Sequence, residues 1–521
     1  MSSNTFSIKG TERTSPGRIG KLLLAISLGL LGLAASCGSD SNAPFPITGN
    51  FTNRSLSGQY AYVLSGTQVI ITNVVNQTAY REAGVFTADG NGNITTGTED
   101  FNDGSGLTSV SISGQYAINK DGTGIVQLNV NGGTETWAIT MVSGSKIYIT
   151  EADSFVNFSA NASGTAFKQD TSALNGVPSG NFAFHVHQTL PNPPDSATVG
   201  QFTSTNGNVV GTSDVLDNGS VAPSSVTGTL TQLDSAGRGT FQYTAGGFTN
   251  IFNYYIVNAN MALLMEADSN VLGLGEMQSQ TGAPFSTNSL NANFTFGSSG
   301  DTASSVSGVN SAGTFSISSG AISGVTDSVL DGSVTGNQAY TGTVNSVDPN
   351  TGRVSVTLTP TGPGNSIHEV WYLVNNARAF QLRFYPSNTS VTEDGTIDQQ
   401  QGSFSNSSLK GQYGFMMSGF TDSGLLTRVG TFIPDGNGNV NLNETTNLFS
   451  TGVVTGVPSS VVTGPIFLQG TYTMDTNGRG AASVANLSSN LVLYMVSGNK
   501  AYILQGDPGI QMFGPVELQS Q

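Results

Sequence analysis

Gly84-Val-Phe-Thr-Ala-Asp-Gly-Asn-Gly-Asn-Ile94 decides the fold, because its core returns near the C-terminus as Gly430-Thr-Phe-Ile-Pro-Asp-Gly-Asn-Gly-Asn-Val440. Fainter copies lie between, at Gly200-Gln-Phe-Thr-Ser-Thr-Asn-Gly-Asn-Val209 and Gly313-Thr-Phe-Ser-Ile-Ser-Ser-Gly-Ala-Ile322. Each is a Gly-x-Phe strand end, a tight polar turn and a β-branched residue that starts the return strand. This is a β-hairpin used four times.

Working outward, other landmarks recur in the same order. Gly58-Gln-Tyr-Ala-Tyr62 corresponds to Gly180-Asn-Phe-Ala-Phe184, Asn291-Ala-Asn-Phe-Thr-Phe296 and Gly411-Gln-Tyr-Gly-Phe415. Val142-Ser-Gly-Ser-Lys146 returns as Val496-Ser-Gly-Asn-Lys500, with looser forms at Val257–Met261 and Val374–Arg378. Each unit closes on a Gly with Gln five places on, read as Gly164 and Gln169, Gly273 and Gln278, Gly395 and Gln400, Gly514 and Gln519. The units are therefore 55–169, 170–286, 287–401 and 402–521, each long enough to fold on its own.

Turn signals divide the first unit into eight strands, at 58–65, 81–88, 92–101, 112–119, 123–130, 134–142, 145–151 and 163–169. In the opening strand Tyr60, Tyr62 and Leu64 form a bulky face, and Ala61 and Val63 a smaller one. The expected fold class is all-β: four tandem antiparallel eight-stranded meander barrels, since closure removes both sheet edges. A β-sandwich is the alternative; it expects Greek-key connections and often a Cys, Trp, Cys core that is missing here.

Residues 1–36 read as an export signal, with a basic region ending at Lys21 and an apolar run from Leu22 to Ala35 too short to span a bilayer comfortably. Residues 37–54, rich in Gly, Ser, Asn and Pro, read as a flexible tether. Without the signal the chain keeps 13 basic and 32 acidic residues, a formal charge of −19. That charge keeps it soluble and argues against nucleic acid as a partner.

Leu33-Ala34-Ala35-Ser36-Cys37 resembles the bacterial lipoprotein signal, with Ala34 where Leu is commonest. The resemblance implies acylation of Cys37, the chain's one cysteine, and Gly38 after it favours an outer-membrane or cell-surface destination. The whole of 55–521 resembles a group of uncharacterised tandem-repeat lipoproteins of environmental bacteria. These share a Gly-x-Tyr-x-Phe opening, a Phe-x-x-Asp-Gly-x-Gly hairpin and a Gly-x-x-x-x-Gln ending. The resemblance implies an exported, anchored, non-enzymatic protein and supplies no ligand; a looser similarity to lipocalin-like or avidin-like barrels rests on strand count.

Several residues invite chemistry. Asp89 and Asp435 open loops that look like calcium sites, but their sixth positions, Ile94 and Val440, lack the Gly of an EF-hand, so a plain turn is the expectation. His185 and His187 share one strand face and could hold a transition metal, yet nothing completes the site and rim histidines are expected. Arg238, Arg353 and Arg479 recur after the fourth strand and could grip a carboxylate or sulfated glycan; pairing with Asp234, Asp348 and Asp475 is the structural alternative. Glu151 with Asp153, Glu266 with Asp268, and Asp507 read as exposed strand-end charges, because neighbours at i and i+2 cannot face each other across a sugar.

There is no nucleophile elbow, no paired Cys and His, and no phosphate-binding Gly loop before a helix, so neither an enzyme nor a cofactor is expected. The leading function is binding, adhesion or a structural role at the cell surface. Its partner would be a surface glycan or protein. The alternative is a carrier of small apolar ligands inside hollow barrels.

Overall fold

The computed structural model describes residues 49–71, 75–130, 133–153, 158–190, 195–217, 219–269, 271–302, 308–421, 424–450, 459–484, 489–507 and 509–521. Cys37 and the signal segment lie outside the described residues. Among those described, no helix is long and apolar enough to cross a membrane.

The chain forms four closed eight-stranded antiparallel meander barrels, spanning residues 57–168, 180–279, 293–399 and 413–518. In each, the first strand (Ser57–Ile71, Gly180–Thr189, Asn293–Thr302, Tyr413–Thr421) pairs with both the second and the eighth. The first hairpin of barrel 1 runs longer than its turn residues suggest. Gly66 does not break the strand; it sits where two backbones meet, and a Cβ there would lie 2.0 Å from the Asn161 carbonyl oxygen.

Period-two alternation sends every second side chain of a strand into the lumen. In barrel 1 Tyr60 stacks on Phe86 with ring centres 5.3 Å apart, and Trp137 meets Tyr62 edge-on at 4.9 Å. Barrel 2 holds Phe182, Phe184, Phe202, Phe241 and Tyr243, barrel 3 Phe294, Phe296, Phe315 and Trp371, and barrel 4 Tyr413, Phe415 and Phe432 with four buried methionines. Such ring pairs add about 0.5–1.5 kcal/mol each beyond area burial. The lumens are thus filled by side chains over their apolar halves.

A short 3-10 turn precedes each barrel, at Asn53–Ser55, Thr171–Ala173, Thr287–Leu290 and Asn406–Ser408. The apolar residues around it, Phe51 and Leu56, Leu174, Phe285 and Leu290, and Phe404 and Leu409, join the core of the barrel that follows. Phe51 is buried and the Asn53 side chain accepts from Ile118 N at 2.9 Å, so residues 51–54, read above as tether, are folded onto barrel 1.

The small outer face of the opening strand also has a purpose. Ala61, Ala83 and Val85 of barrel 1 pack against Tyr255, Val257, Leu263 and Met265 of barrel 2. Ala183, Ala197, Val199 and Leu216 of barrel 2 meet Val370, Tyr372, Val374, Phe380 and Leu382 of barrel 3. Ala312 of barrel 3 meets Tyr494, Val496 and Tyr502 of barrel 4. The series does not stop there: Val429 of barrel 4 packs on Ala138, Val142 and Tyr148 of barrel 1. Contacts therefore run from barrel 1 through 2, 3 and 4 and back to 1. The first two strands of each barrel lie against the sixth to eighth of the next.

Candidate functional site

The sixth strands (Gly133–Ser143, Phe248–Asn258, Ile367–Asn375, Ser489–Ser497) and seventh strands (Lys146–Glu151, Met261–Glu266, Arg378–Phe384, Lys500–Asp507) are joined by the Val-x-x-x-Lys turns. Their register slips by one residue at Val142, Val257, Val374 and Val496. A bulged residue leaves the ladder, so its carbonyl is free to accept elsewhere. Each is taken by the preceding barrel's tail: Asp170 N donates to Val257 O, Thr281 N to Val374 O, Gln401 N to Val496 O and Ser520 N to Val142 O, at 2.8–2.9 Å.

The closing glutamines complete the joint. Gln169 Nε2 donates to Ala236 O and Ile256 O, Gln280 to Thr351 O and Leu373 O, Gln400 to Asn477 O and Met495 O, and Gln519 to Asp121 O and Met141 O. The structure corrects the second pair: the equivalent of Gly164 and Gln169 is Gly275 and Gln280, not Gly273 and Gln278. Gly164 and Gly275 both press on a first-strand carbonyl, where a Cβ would approach within 1.8 and 1.9 Å. Since Gly275 also has Gln five places on, the sequence held both phases.

The three arginines sit in these joints, and none is free for an anion. Arg353 reaches back to Asp214 of barrel 2 with Nε and Nη2, both at 2.7 Å, and the Tyr372 hydroxyl donates to the same carboxylate at 2.8 Å. Arg479 grips Asp327 of barrel 3 at 2.7 and 2.9 Å, again with a tyrosine, Tyr494. Arg238 holds Asp100 of barrel 1 at 2.8 Å and its own Asp234 at 2.7 Å. Of the three neighbours named from sequence, Asp234 alone takes its arginine's guanidinium. Asp100, Asp214 and Asp327 were missed by sequence reasoning; their signal is a shared third-strand position opposite the residue before the Gly-x-Phe glycine. A cleft of about 390 Å³ beside Arg479 is lined by Asp327, Val334, Tyr472 and Leu491.

His185 and His187 lie in the joint between barrels 2 and 3, both reaching Asp394 of barrel 3, at 3.3 and 2.7 Å. His187 Nε2 also meets Asp301 at 3.1 Å and Asp195 at 3.5 Å. Burial alone would lower the His187 pKa, but Asp394 and bonds to Asp195 and Asp301 hold it well above the ordinary value. His187 is thus tied to three carboxylates, and one ligand atom from each of His187, Asp195 and Asp301 lies within 4.8 Å of the others, close enough to hold a metal ion in place of these ion pairs. Asp89 and Asp435 close their own turns: each accepts from two backbone amides at 2.7 and 3.0 Å and from an Asn side chain at 2.7 Å.

The acids read as exposed strand ends are not exposed. Glu151 and Glu266 are buried in the lumens. Asp153, Asp268 and Asp507 accept from Thr136 N, Ile251 N and Asn490 N at 2.7, 3.2 and 2.7 Å. Each barrel thus has an apolar half and a polar half. In barrel 3 Arg383 lies 3.3 Å from Glu369 and 3.8 Å from Glu393; in barrel 4 Arg428 bonds Gln505 at 2.9 Å and acts on Glu444.

No protein-family model matches the chain, and no curated protein matches it. Among solved structures, the chain is similar to a double mutant of the vaccine antigen transferrin binding protein B from Haemophilus parasuis Hp5. Identity is 10%, with 72% of this chain and 84% of that one covered, at a TM-score of 0.19. So low a score carries no argument about how this chain works.

Proposed function

We propose that this chain is a lipid-anchored extracytoplasmic protein with a non-enzymatic binding, adhesion or structural role at the cell surface, attached through acylated Cys37. The observation that carries the reading is the way the surface is divided. The joints use the outer faces of the first and second strands and of the sixth to eighth, and the lumens hold side chains, which weighs against a carrier. Much of what remains outward is polar, with Phe248 and Phe467 among the exposed exceptions. The fourth strands (Leu107–Ile118, Ser220–Gln232, Ser333–Val347, Ser459–Met474) point Ile112 and Tyr116, Val226 and Leu230, Tyr340 and Val344, Leu468 and Tyr472 inward.

Their outer positions form ladders of hydroxyls and amides: Ser111, Ser113 and Gln115; Thr227, Thr229 and Thr231; Thr341 and Thr343; Gln469, Thr471 and Thr473. Uncharged donors and acceptors at strand spacing suit a hydroxyl-rich partner such as a surface polysaccharide. Four copies on one body gain from effective concentration if the partner repeats. The test is binding of the purified Cys37→Ser protein to a glycan array and to whole cells. Saturable binding lost when Thr227, Thr229 and Thr231 are changed to Ala supports the reading; no binding to any glycan or cell removes it. Incorporation of an alkyne-tagged fatty acid, absent in Cys37→Ala, tests the anchor.

A further inference from the structure

The polar half of barrel 1 differs from the others in carrying an acid at all three of a set of equivalent lumen positions. At three equivalent lumen positions barrel 1 carries Glu82, Glu99 and Glu151, where barrel 2 has Thr198, Ser213 and Glu266, barrel 3 Ser311, Thr326 and Arg383, and barrel 4 Arg428, Glu444 and Gln505. Glu135 adds a fourth carboxylate. One oxygen from each of Glu82, Glu99 and Glu135 lies within 4.8 Å of the others. Two oxygens on opposite sides of a calcium ion, each at about 2.4 Å, are about 4.8 Å apart, so this set can share one ion.

A second observation points the same way. Glu151 is 1% exposed, and among the described residues neither of its oxygens has a hydrogen-bond partner. Glu151 lies directly opposite Trp137, whose indole donates to Glu135, so it stands on the same lumen face as the cluster. One oxygen each of Glu82 and Glu99 is likewise unpartnered. Burial, followed by the neighbouring acids, pushes Glu82 and Glu151 well up and Glu99 to about 9. The donors present hold the cluster's shape without neutralising it: Tyr80 donates to Glu82 at 3.1 Å and Trp137 to Glu135. Glu135 is only half-buried, which leaves a way in from solvent.

We propose that the lumen of barrel 1 binds one hard divalent cation, calcium by its all-carboxylate donor set, through Glu82, Glu99 and Glu135, with Glu151 completing the shell. A thiol-free oxygen set disfavours the soft metals, and a set of several protein carboxylates suits calcium better than magnesium, which keeps most of its water shell.

The test uses the full chain carrying Cys37→Ser, stripped with chelator and titrated near neutral pH with calcium and with terbium as a luminescent substitute. One ion per chain is expected, with a melting temperature that climbs with calcium concentration. Terbium emission excited through tryptophan is expected to vanish in Trp137→Phe while calcium binding persists. Glu99→Gln is expected to lose affinity by about tenfold or more and to lose the thermal response, whereas Asp89→Asn changes neither. No binding of calcium or terbium to the parent chain, terbium emission unchanged in Trp137→Phe, or Glu99→Gln binding like the parent overturns the assignment.

Discussion

Three joints follow a covalent crossing and the fourth does not, and they are built alike in backbone but not in charge. At every joint a tail amide meets a bulged valine carbonyl, and a glutamine spans two carbonyls. Only the first three carry the Arg, Asp and Tyr clamp. In the joint of barrel 4 with barrel 1 the arginine and tyrosine positions are Thr123 and Thr140, and the aspartate position is Thr445. That joint relies on Lys146 with Glu517 at 2.6 Å, Asn443 with Asp121 at 2.8 Å, and Thr427 with Thr150 and Asn161. Hydrogen-bond geometry made by the backbone recurs wherever the fold recurs, whereas buried charge has to be matched pair by pair.

The largest difference between joints is expected from Arg353→Ala. It leaves Asp214, whose side chain is fully buried, without its cation, at a cost of about 2–4 kcal/mol after allowing for the arginine's partial exposure. Thr123→Ala, at the matching place in the closing joint, should change the unfolding free energy read from a urea melt by less than about 0.5 kcal/mol. Equal losses would mean the clamp adds nothing that the backbone bonds do not already supply.

Gln519→Ala comes next. It strips two donors from carbonyls in the closing joint and should cost about 1–2 kcal/mol, with faster amide exchange at Ser520 than Gln169→Ala causes at Asp170. The joint of barrels 2 and 3 adds a dependence on pH. The His187 pKa is raised, so its contribution is full below the unfolded value of about 6.5 and is lost as pH rises through the folded value. Asp394 is opposed by burial but held well down by His187 and His185, so its contribution is present above about 3.9 and lost as pH falls through its folded value. Asp195, Asp301, Glu276 and Arg81 face the same place. Denaturation midpoints should fall on the alkaline side, and His187→Gln should flatten that limb. The smallest effect is expected from Asp435→Asn in its exposed turn, with the melting temperature nearly unmoved.

The repeat, the strand count and the barrels were legible in sequence because turn residues and alternation are local. Asn206 and Ser319, in the two middle hairpins, take positive φ beside Gly207 and Gly320, as such turns demand. The joints were half legible. The Gly-x-x-x-x-Gln and Val-x-x-x-Lys landmarks were seen as marks of repetition, but their partners lie in the next barrel, and no local pattern says so. Strands six and seven gave a clue, since Ala138–Val142 and Ile147–Glu151 are buried without alternation, the sign of a strand covered on both faces. The acidic lumen was also within reach: Glu82 lies four places before Phe86 and so on the same face. A Glu in a strand reads as solvent-facing until the phase is counted.

The cycle of joints closes only where barrel 4 touches barrel 1. Thr150 and Thr427 are 277 residues apart in the chain, and their hydroxyl oxygens lie 2.5 Å from each other. In a Cys37→Ser background, Thr150→Cys with Thr427→Cys should form an intramolecular disulfide on mild oxidation, seen as linked peptides by mass spectrometry and as faster migration of the unreduced chain. Two thiols that stay free under the same oxidation, while the protein remains folded, would contradict the closed cycle.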